Sequence, residues 1–147
     1  MAPSRRNSYP LCCRPKDKGR FFVMSDLLLW LYVLNSVLLI DHEIDSAYWK
    51  EWELFRFPGG ITGFLLLHIP LLFVILWGLI LISRHSCWGS VFSLFLCSGG
   101  SFAFAAHAYF LRKGRPHFNN LTSKCILFAI LLVSIIQTVV TFYGIGQ

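Results

Sequence analysis

The sequence predicts an all-α integral membrane protein, a four-helix bundle whose transmembrane helices are joined by short loops. Three stretches contain no charged residue, namely residues 60–82, 87–111 and 125–147. Each is long enough to cross a ~30 Å hydrocarbon core as a helix. A weaker apolar stretch, residues 21–40, is interrupted only by Asp26. Because these stretches are continuous and do not alternate with polar residues, they indicate helices and exclude the strands of a membrane barrel.

We expect the four helices near residues 25–41, 60–82, 88–111 and 124–145, with both termini on one side of the membrane. After the first helix, aromatic residues alternate with charged ones, as is typical of a segment that lies in the headgroup region. Pro58-Gly59-Gly60 then turns the chain into the second helix. The expected anchors of this interfacial segment are Trp49, Trp52 and Phe55.

The composition indicates that the lipid bilayer is the main partner of the protein. The chain of 147 residues is 56% hydrophobic and only 14% charged, which excludes an ordinary soluble domain. Its net charge is +6, but the basic residues lie in loops and in the N-terminal tail, so they are topology signals and do not form a nucleic-acid-binding face. The five cysteines form no CxxC pair and no metal-finger spacing.

The N-terminal segment, residues 1–23, is basic and lacks apolar periodicity, so we expect a disordered tail before a four-span domain at residues 24–147. No small-residue cleavage site follows the first apolar stretch, which argues against a signal peptide. Translation from Met24 remains an alternative. Without the tail, the basic residues favour the side of the loops at residues 41–59 and 112–124, and the acid-rich loop then faces the cytoplasm.

One edge of the predicted bundle collects most of the ionisable groups, with four of the five histidines and five of the seven acids. Asn35, His42 and Asp45 are spaced i, i+7 and i+10, so they share one face of the first helix. Unpaired polar groups in hydrocarbon cost several kcal/mol, and this face should therefore turn inward. The second helix brings His68 to the same edge, and the third helix brings His107.

Two interpretations of this edge remain open. The polar side chains can serve as hydrogen bonds between helices, without any chemistry. They can also bind a divalent metal, because histidine and carboxylate ligands suit zinc, iron or manganese. Each helix supplies a single histidine, so a metal site requires three helices to converge. The candidate ligands are His42, Asp45, His68 and His107, and the surrounding polar cluster is Asn35, Asp41 and Glu43.

The fourth helix carries a polar stripe on one face, directed mostly toward the other leaflet. Its side chains can make inward hydrogen bonds or form the seam of a homodimer. The stripe consists of Ser134, Gln137, Thr138 and Thr141, which are spaced i, i+3, i+4 and i+7.

The segment LNSVLLIDHEIDSAYWKEWELFRFPGGITGFLLLHIPLL resembles the signature region of a family of small, uncharacterised, mostly prokaryotic membrane proteins with four spans, known as a domain of unknown function. The resemblance covers residues 24–147. It implies a multi-pass protein of the prokaryotic inner (plasma) membrane, and it implies no activity, substrate or cofactor.

A more distant resemblance involves His42-x-x-Asp45, followed by His107 and a basic loop that contains Arg115-Pro116. This layout is similar to that of the HXXEE membrane family, which is named for a histidine followed by paired acids. Asp45 and Ser46 stand where that family has two glutamates, so the chain departs from the motif.

Two functions compete at this stage. The first is a non-enzymatic membrane protein that works through contacts with itself or with a membrane-protein partner, which its small size, short loops and lack of a recognised catalytic motif favour. The second is a membrane-embedded metal-binding protein or metalloenzyme that uses the histidine and acid cluster. The sequence does not decide whether the protein is an enzyme. A transporter or channel is less supported, because no inverted repeat is visible.

Overall fold

The computed structural model describes residues 18–54, 58–114 and 120–146, and the side chains from residue 23 onward within them. No strand occurs in these ranges, which confirms the all-α prediction. Each of the four α-helices is long and apolar enough to cross a membrane. They are α1 (Lys18–Tyr48), α2 (Gly60–Ser83), α3 (Cys87–Arg112) and α4 (Leu121–Ile145), and a short 3-10 helix (Glu51–Glu53) joins α1 to α2.

Helix α1 differs most from its predicted bounds, because it continues to Tyr48 and does not end near residue 41. Charged residues do not break a helix, and no glycine or proline occurs from residue 20 to residue 57. The helix ends only where Lys50 adopts a left-handed conformation, with a φ of 54°. At its other end α1 includes residues 18–23, which the sequence assigned to the tail, while residues 1–17 lie outside the described part of the chain.

The helices form a ring in chain order, in which α1 packs on α2 and α4, and α3 packs on the same two helices. Helices α1 and α3 also touch across the diagonal. A buried apolar cluster joins α1, α2 and α3, whereas most other large apolar side chains point outward, as a lipid-facing surface requires. The members of the cluster are Tyr32, Leu39, Ile75, Ile82 and Leu96.

A hydrogen-bonded polar layer lies inside this bundle and joins α1, α3 and α4. Asn35 Nδ2 donates to Ser134 Oγ at 3.1 Å and to Gln137 Oε1 at 2.9 Å. Gln137 Nε2 in turn donates to Ser93 Oγ at 2.9 Å, and Ser93 Oγ lies 2.8 Å from Thr141 Oγ1. The stripe on α4 therefore makes inward hydrogen bonds, which satisfy polar groups that lipid would leave unpaired.

Close packing of α3 on α4 depends on Gly100. A Cβ atom at this position would lie 2.6 Å from Ile130 Cγ2 and 2.7 Å from Ser134 Oγ. Real Cβ atoms do not approach other atoms so closely, so even alanine requires α4 or its side chains to move. At the adjacent Gly99, the nearest such atom is Leu39 Cδ2 at 3.9 Å, an ordinary van der Waals contact.

Gly100→Ala is therefore expected to lower the free energy of unfolding by about 1–3 kcal/mol, the usual cost of overpacking. Gly99→Ala is the matched control, and its effect should be neutral or slightly stabilising because alanine favours a helix. Unfolding of both variants in mixed micelles, followed by circular dichroism, measures the difference. Equal stabilities of the two variants would show that α3 and α4 do not approach as closely as described.

Candidate metal centre

Three ionisable side chains come together at the edge of the bundle where α1 and α3 end. His42 comes from α1, Glu51 from the 3-10 helix and His107 from α3. Each offers one potential ligand atom, and the three atoms lie within 4.8 Å of one another. The residues are only 4%, 6% and 4% exposed, respectively, so this cluster is not a solvated patch of surface charge.

The chain brings Glu51 into the cluster through the turn that follows α1. Lys50 occupies the left-handed region, which is uncommon for a residue with a side chain, and it separates the end of α1 from the 3-10 helix. The 3-10 helix that follows is held by backbone hydrogen bonds, one of them from Leu54 N to Glu51 O at 2.9 Å. The ring of Trp52 packs against Phe64 of α2, with a centroid separation of 5.4 Å. Together these contacts place the Glu51 carboxylate against the end of the bundle.

Within the cluster, the closest polar contact joins Glu51 Oε1 and His107 Nε2, which are 3.2 Å apart. The rings of His42 and His107 meet edge to face, with centroids 5.1 Å apart. In the described part of the chain, Glu51 Oε1 accepts no hydrogen bond of good geometry, and His107 Nε2 is the polar atom described nearest to it. A buried carboxylate is costly unless a cation or hydrogen-bond donors compensate it, and either a protonated His107 or a bound metal ion would do so here.

The distances fit a metal site that closes by a modest movement of its side chains. Zinc binds imidazole nitrogen at about 2.0–2.1 Å and carboxylate oxygen at about 2.0–2.2 Å, which places neighbouring ligands of a tetrahedral site roughly 3.3 Å apart. The contact of 3.2 Å between Glu51 and His107 already matches this spacing. The widest separation, at most 4.8 Å, has to shorten by roughly 1.5 Å. Two imidazoles and one carboxylate are a donor set suited to zinc, iron or manganese.

Of the four ligands suggested by the sequence, the structure brings His42 and His107 together and places Asp45 and His68 outside the cluster. His68 of α2 lies against α1 instead, with its Nε2 atom 2.7 Å from Glu43 Oε2. Its other ring nitrogen, Nδ1, lies 2.6 Å from the carbonyl oxygen of Phe64.

The other residues singled out in the sequence have different surroundings. In the polar cluster, Asn35 bonds to α4, Asp41 is exposed and Glu43 pairs with His68. Of the expected membrane anchors, Trp49 is half-buried and Trp52 packs on α2, whereas Phe55 lies outside the described residues. The basic loop with Arg115-Pro116 also lies outside them, and the position of the aromatic segment in the headgroup region stays a prediction.

Glu51 is the member of the cluster that sequence reasoning did not identify. The aromatic and charged residues that alternate around it predict an interfacial segment instead of a ligand. No helical spacing relates it to His42 or His107, since the turn at Lys50 separates it from α1. The only signal was its proximity in sequence to a histidine-bearing helix end.

The four apolar helices define a multi-pass membrane protein of the all-α class. The chain belongs to a family of unknown function, DUF6713, whose model matches residues 28–144 and so includes all three residues of the cluster. The predicted resemblance to a small four-span family is thereby confirmed, whereas the likeness to the HXXEE family stays a prediction. Comparisons with curated proteins and with solved structures found no match.

Proposed function

We propose that this protein is a membrane-embedded metal-binding protein, which holds one divalent transition-metal ion between His42, Glu51 and His107. The observation that carries the proposal is the cluster itself, with three buried potential ligands within 4.8 Å. Glu51 Oε1, which accepts no hydrogen bond from the described residues, supports a cation at this place.

The depth of the cluster sets the environment of the ion. His107 lies five residues before the end of α3 at Arg112, or about 7.5 Å along the helix axis. If a hydrocarbon core of ~30 Å is centred on the 26 residues of α3, this depth lies close to the boundary between hydrocarbon and headgroups, where a metal ion would exchange with water. Zinc takes four ligands, and three protein ligands with one remaining position are typical of catalytic zinc sites. A structural zinc ion and a catalytic zinc ion would both have to bind to these three ligands, so metal binding is the property to test first.

Metal analysis of the purified protein tests the proposal. The protein extracted in mild detergent should bind one zinc or cobalt ion per chain in a competition titration against a chromophoric chelator. His85→Asn is a suitable control, because His85 lies between α2 and α3 at the opposite edge, with a φ of 52° that asparagine tolerates. This variant should bind as the parent does. Less than stoichiometric binding by the parent at saturating metal would contradict the proposal.

The second candidate is a protein that acts through contacts in the membrane with itself or with a partner protein. The buried polar layer around Asn35 and Gln137 supports it, because this layer orders three helices without any ligand. In that case the histidine cluster also serves only as a contact between helices. Replacing His42 or His107 with asparagine would then change the stability of the bundle slightly, and metal would have no effect on either variant or on the parent.

A further inference from the structure

We infer that the pair formed by Glu43 and His68 is a positioning contact for the metal centre, which raises metal affinity without touching the ion. The inference rests on the proposed function, since it names residues outside the ligand set that hold one ligand in place. The atoms His68 Nε2 and Glu43 Oε2 lie 2.7 Å apart, and this polar contact joins α1 to α2 beside the cluster.

The contact of Glu43 with His68 is linked to the metal centre because Glu43 directly follows the ligand His42 in α1. His42 and Glu43 are consecutive residues of α1, so their side chains leave the helix about 100° apart. His42 meets the ring of His107 in α3, while Glu43 meets His68 in α2. A rotation of α1 that breaks one of these contacts also displaces the other. The contact of Glu43 with His68 therefore fixes the direction in which His42 points.

The imidazole of His68 is itself well placed to act as a support. Its two ring nitrogens are both engaged, one with Glu43 and the other with the carbonyl oxygen of Phe64 at 2.6 Å. The side chains of His68 and Glu43 are only 12% and 24% exposed, so solvent competes weakly for the contact. The ring of Phe64 lies against that of His68, with centroids 3.9 Å apart. These contacts hold the ring from several sides.

A second set of hydrogen bonds, to α4, also limits the rotation of α1. Asn35 lies two turns before His42 on the same face of α1, and it is hydrogen-bonded to Ser134 and Gln137 of α4. Helix α1 is thus tied to α4 through Asn35 and to α2 through Glu43. Of these two ties, the one at Glu43 is next to a metal ligand in the chain, so its loss should affect the metal most.

The bundle offers a matched control for a purely structural role. Tyr32 Oη donates a hydrogen bond to the carbonyl oxygen of Ile75 at 2.9 Å, which also joins α1 to α2. Tyr32 lies ten residues before His42, roughly 15 Å away along the helix. Tyr32→Phe removes a polar contact between the same two helices at a distance from the metal centre.

The experiment compares zinc affinity and thermal unfolding of four proteins: the parent, His68→Leu, His68→Gln and Tyr32→Phe. Zinc affinity should fall about 10-fold in His68→Leu, the lower end of the roughly 10–100-fold losses that follow removal of a group hydrogen-bonded directly to a metal ligand, because His68 acts one residue further away. His68→Gln keeps a donor for Glu43 and should lie between His68→Leu and the parent. Tyr32→Phe should keep the affinity of the parent even where its unfolding temperature falls. The absorption bands of bound cobalt should shift in the His68 variants alone.

Three outcomes would overturn the inference. In the first, His68→Leu binds zinc as tightly as the parent does. In the second, Tyr32→Phe weakens binding as much as His68→Leu, which would show that general stability sets affinity. In the third, the parent binds no metal, which overturns the proposed function as well. Should His68→Leu not fold, His68→Gln carries the comparison with Tyr32→Phe by itself, and an unchanged affinity and cobalt spectrum in that variant would equally contradict the inference.

Discussion

Glu51→Ala should lower zinc affinity by about 100-fold or more, since loss of a ligand exceeds the roughly 10–100-fold effects of losing a ligand's support. The variant removes the only carboxylate of the cluster and leaves His42 and His107 in place. Glu53→Ala is the matched control, because Glu53 lies on the same 3-10 helix but is exposed. It changes the net charge equally and should leave the affinity unchanged.

Competition titration with a chromophoric chelator measures both affinities. His42→Ala and His107→Ala should behave as Glu51→Ala does, because the three side chains are expected to share one ion. If Glu53→Ala weakens binding as much as Glu51→Ala, the acidic segment acts only through its overall charge. If Glu51→Ala retains the parent's affinity, Glu51 is not a ligand.

Glu51→Gln extends this prediction to the metal-free protein and separates a metal site from a structural contact. The amide has nearly the shape of the carboxylate but no charge, and Glu51 Oε1 accepts no hydrogen bond from the described residues. We therefore expect the metal-free variant to be at least as stable as the metal-free parent, since a buried charge is removed. If Glu51 and His107 were a structural ion pair, the same change would cost about 3–5 kcal/mol, because it would leave a charged partner buried.

Metal binding is expected to stabilise the protein, and to do so most strongly at the turn between α1 and α2. A ligand at 100 times its dissociation constant adds about 2.7 kcal/mol to the free energy of unfolding. Two ligands lie on long helices that the bundle holds in place, whereas Glu51 lies on a three-residue helix. The contacts described for that helix are few, and the main ones join Glu51 to His107 and Trp52 to Phe64. An ion bound by Glu51 therefore fixes the segment from residue 50 to residue 54.

Amide hydrogen exchange with and without zinc tests this local effect, and thermal unfolding tests the global one. Exchange should slow at residues 50–54 in the parent and stay unchanged in Glu51→Ala at the same zinc concentration. Protection spread evenly over the bundle, or present equally in Glu51→Ala, would place the bound zinc at another site.

The fold was predictable because charge-free stretches of this length leave few alternatives. Residues 60–82 and 88–111 correspond closely to α2 and α3 in the structure. The end of α1 was not predictable from hydropathy, since the polar residues after Ile40 end an apolar stretch without ending a helix. Helix α1 instead ends at the left-handed conformation of Lys50, and no glycine or proline lies beside Lys50 in the sequence to indicate a turn there.

The candidate site was predictable only in part, for a similar reason. Helical spacing and depth placed His42 and His107 at one inward edge, and the structure has them in contact. Helical periodicity shows which residues share one face of a helix, but it does not show which other helix packs against that face. Asn35 accordingly bonds to α4 and His68 to Glu43, whereas both were expected near the other histidines. Glu51 joins the cluster through a tertiary turn, which local patterns do not encode.

X-ray absorption at the zinc edge tests the central claim most directly, because it reports the atoms bound to the ion. The account predicts, for the purified protein with one zinc per chain, two imidazole nitrogens, one carboxylate oxygen and a fourth light-atom ligand that the protein does not supply, all at about 2.0–2.2 Å, with no sulfur ligand. In Glu51→Ala the carboxylate contribution should be lost. A sulfur shell at about 2.3 Å, or a spectrum of the parent that Glu51→Ala does not change, would contradict a site formed by His42, Glu51 and His107.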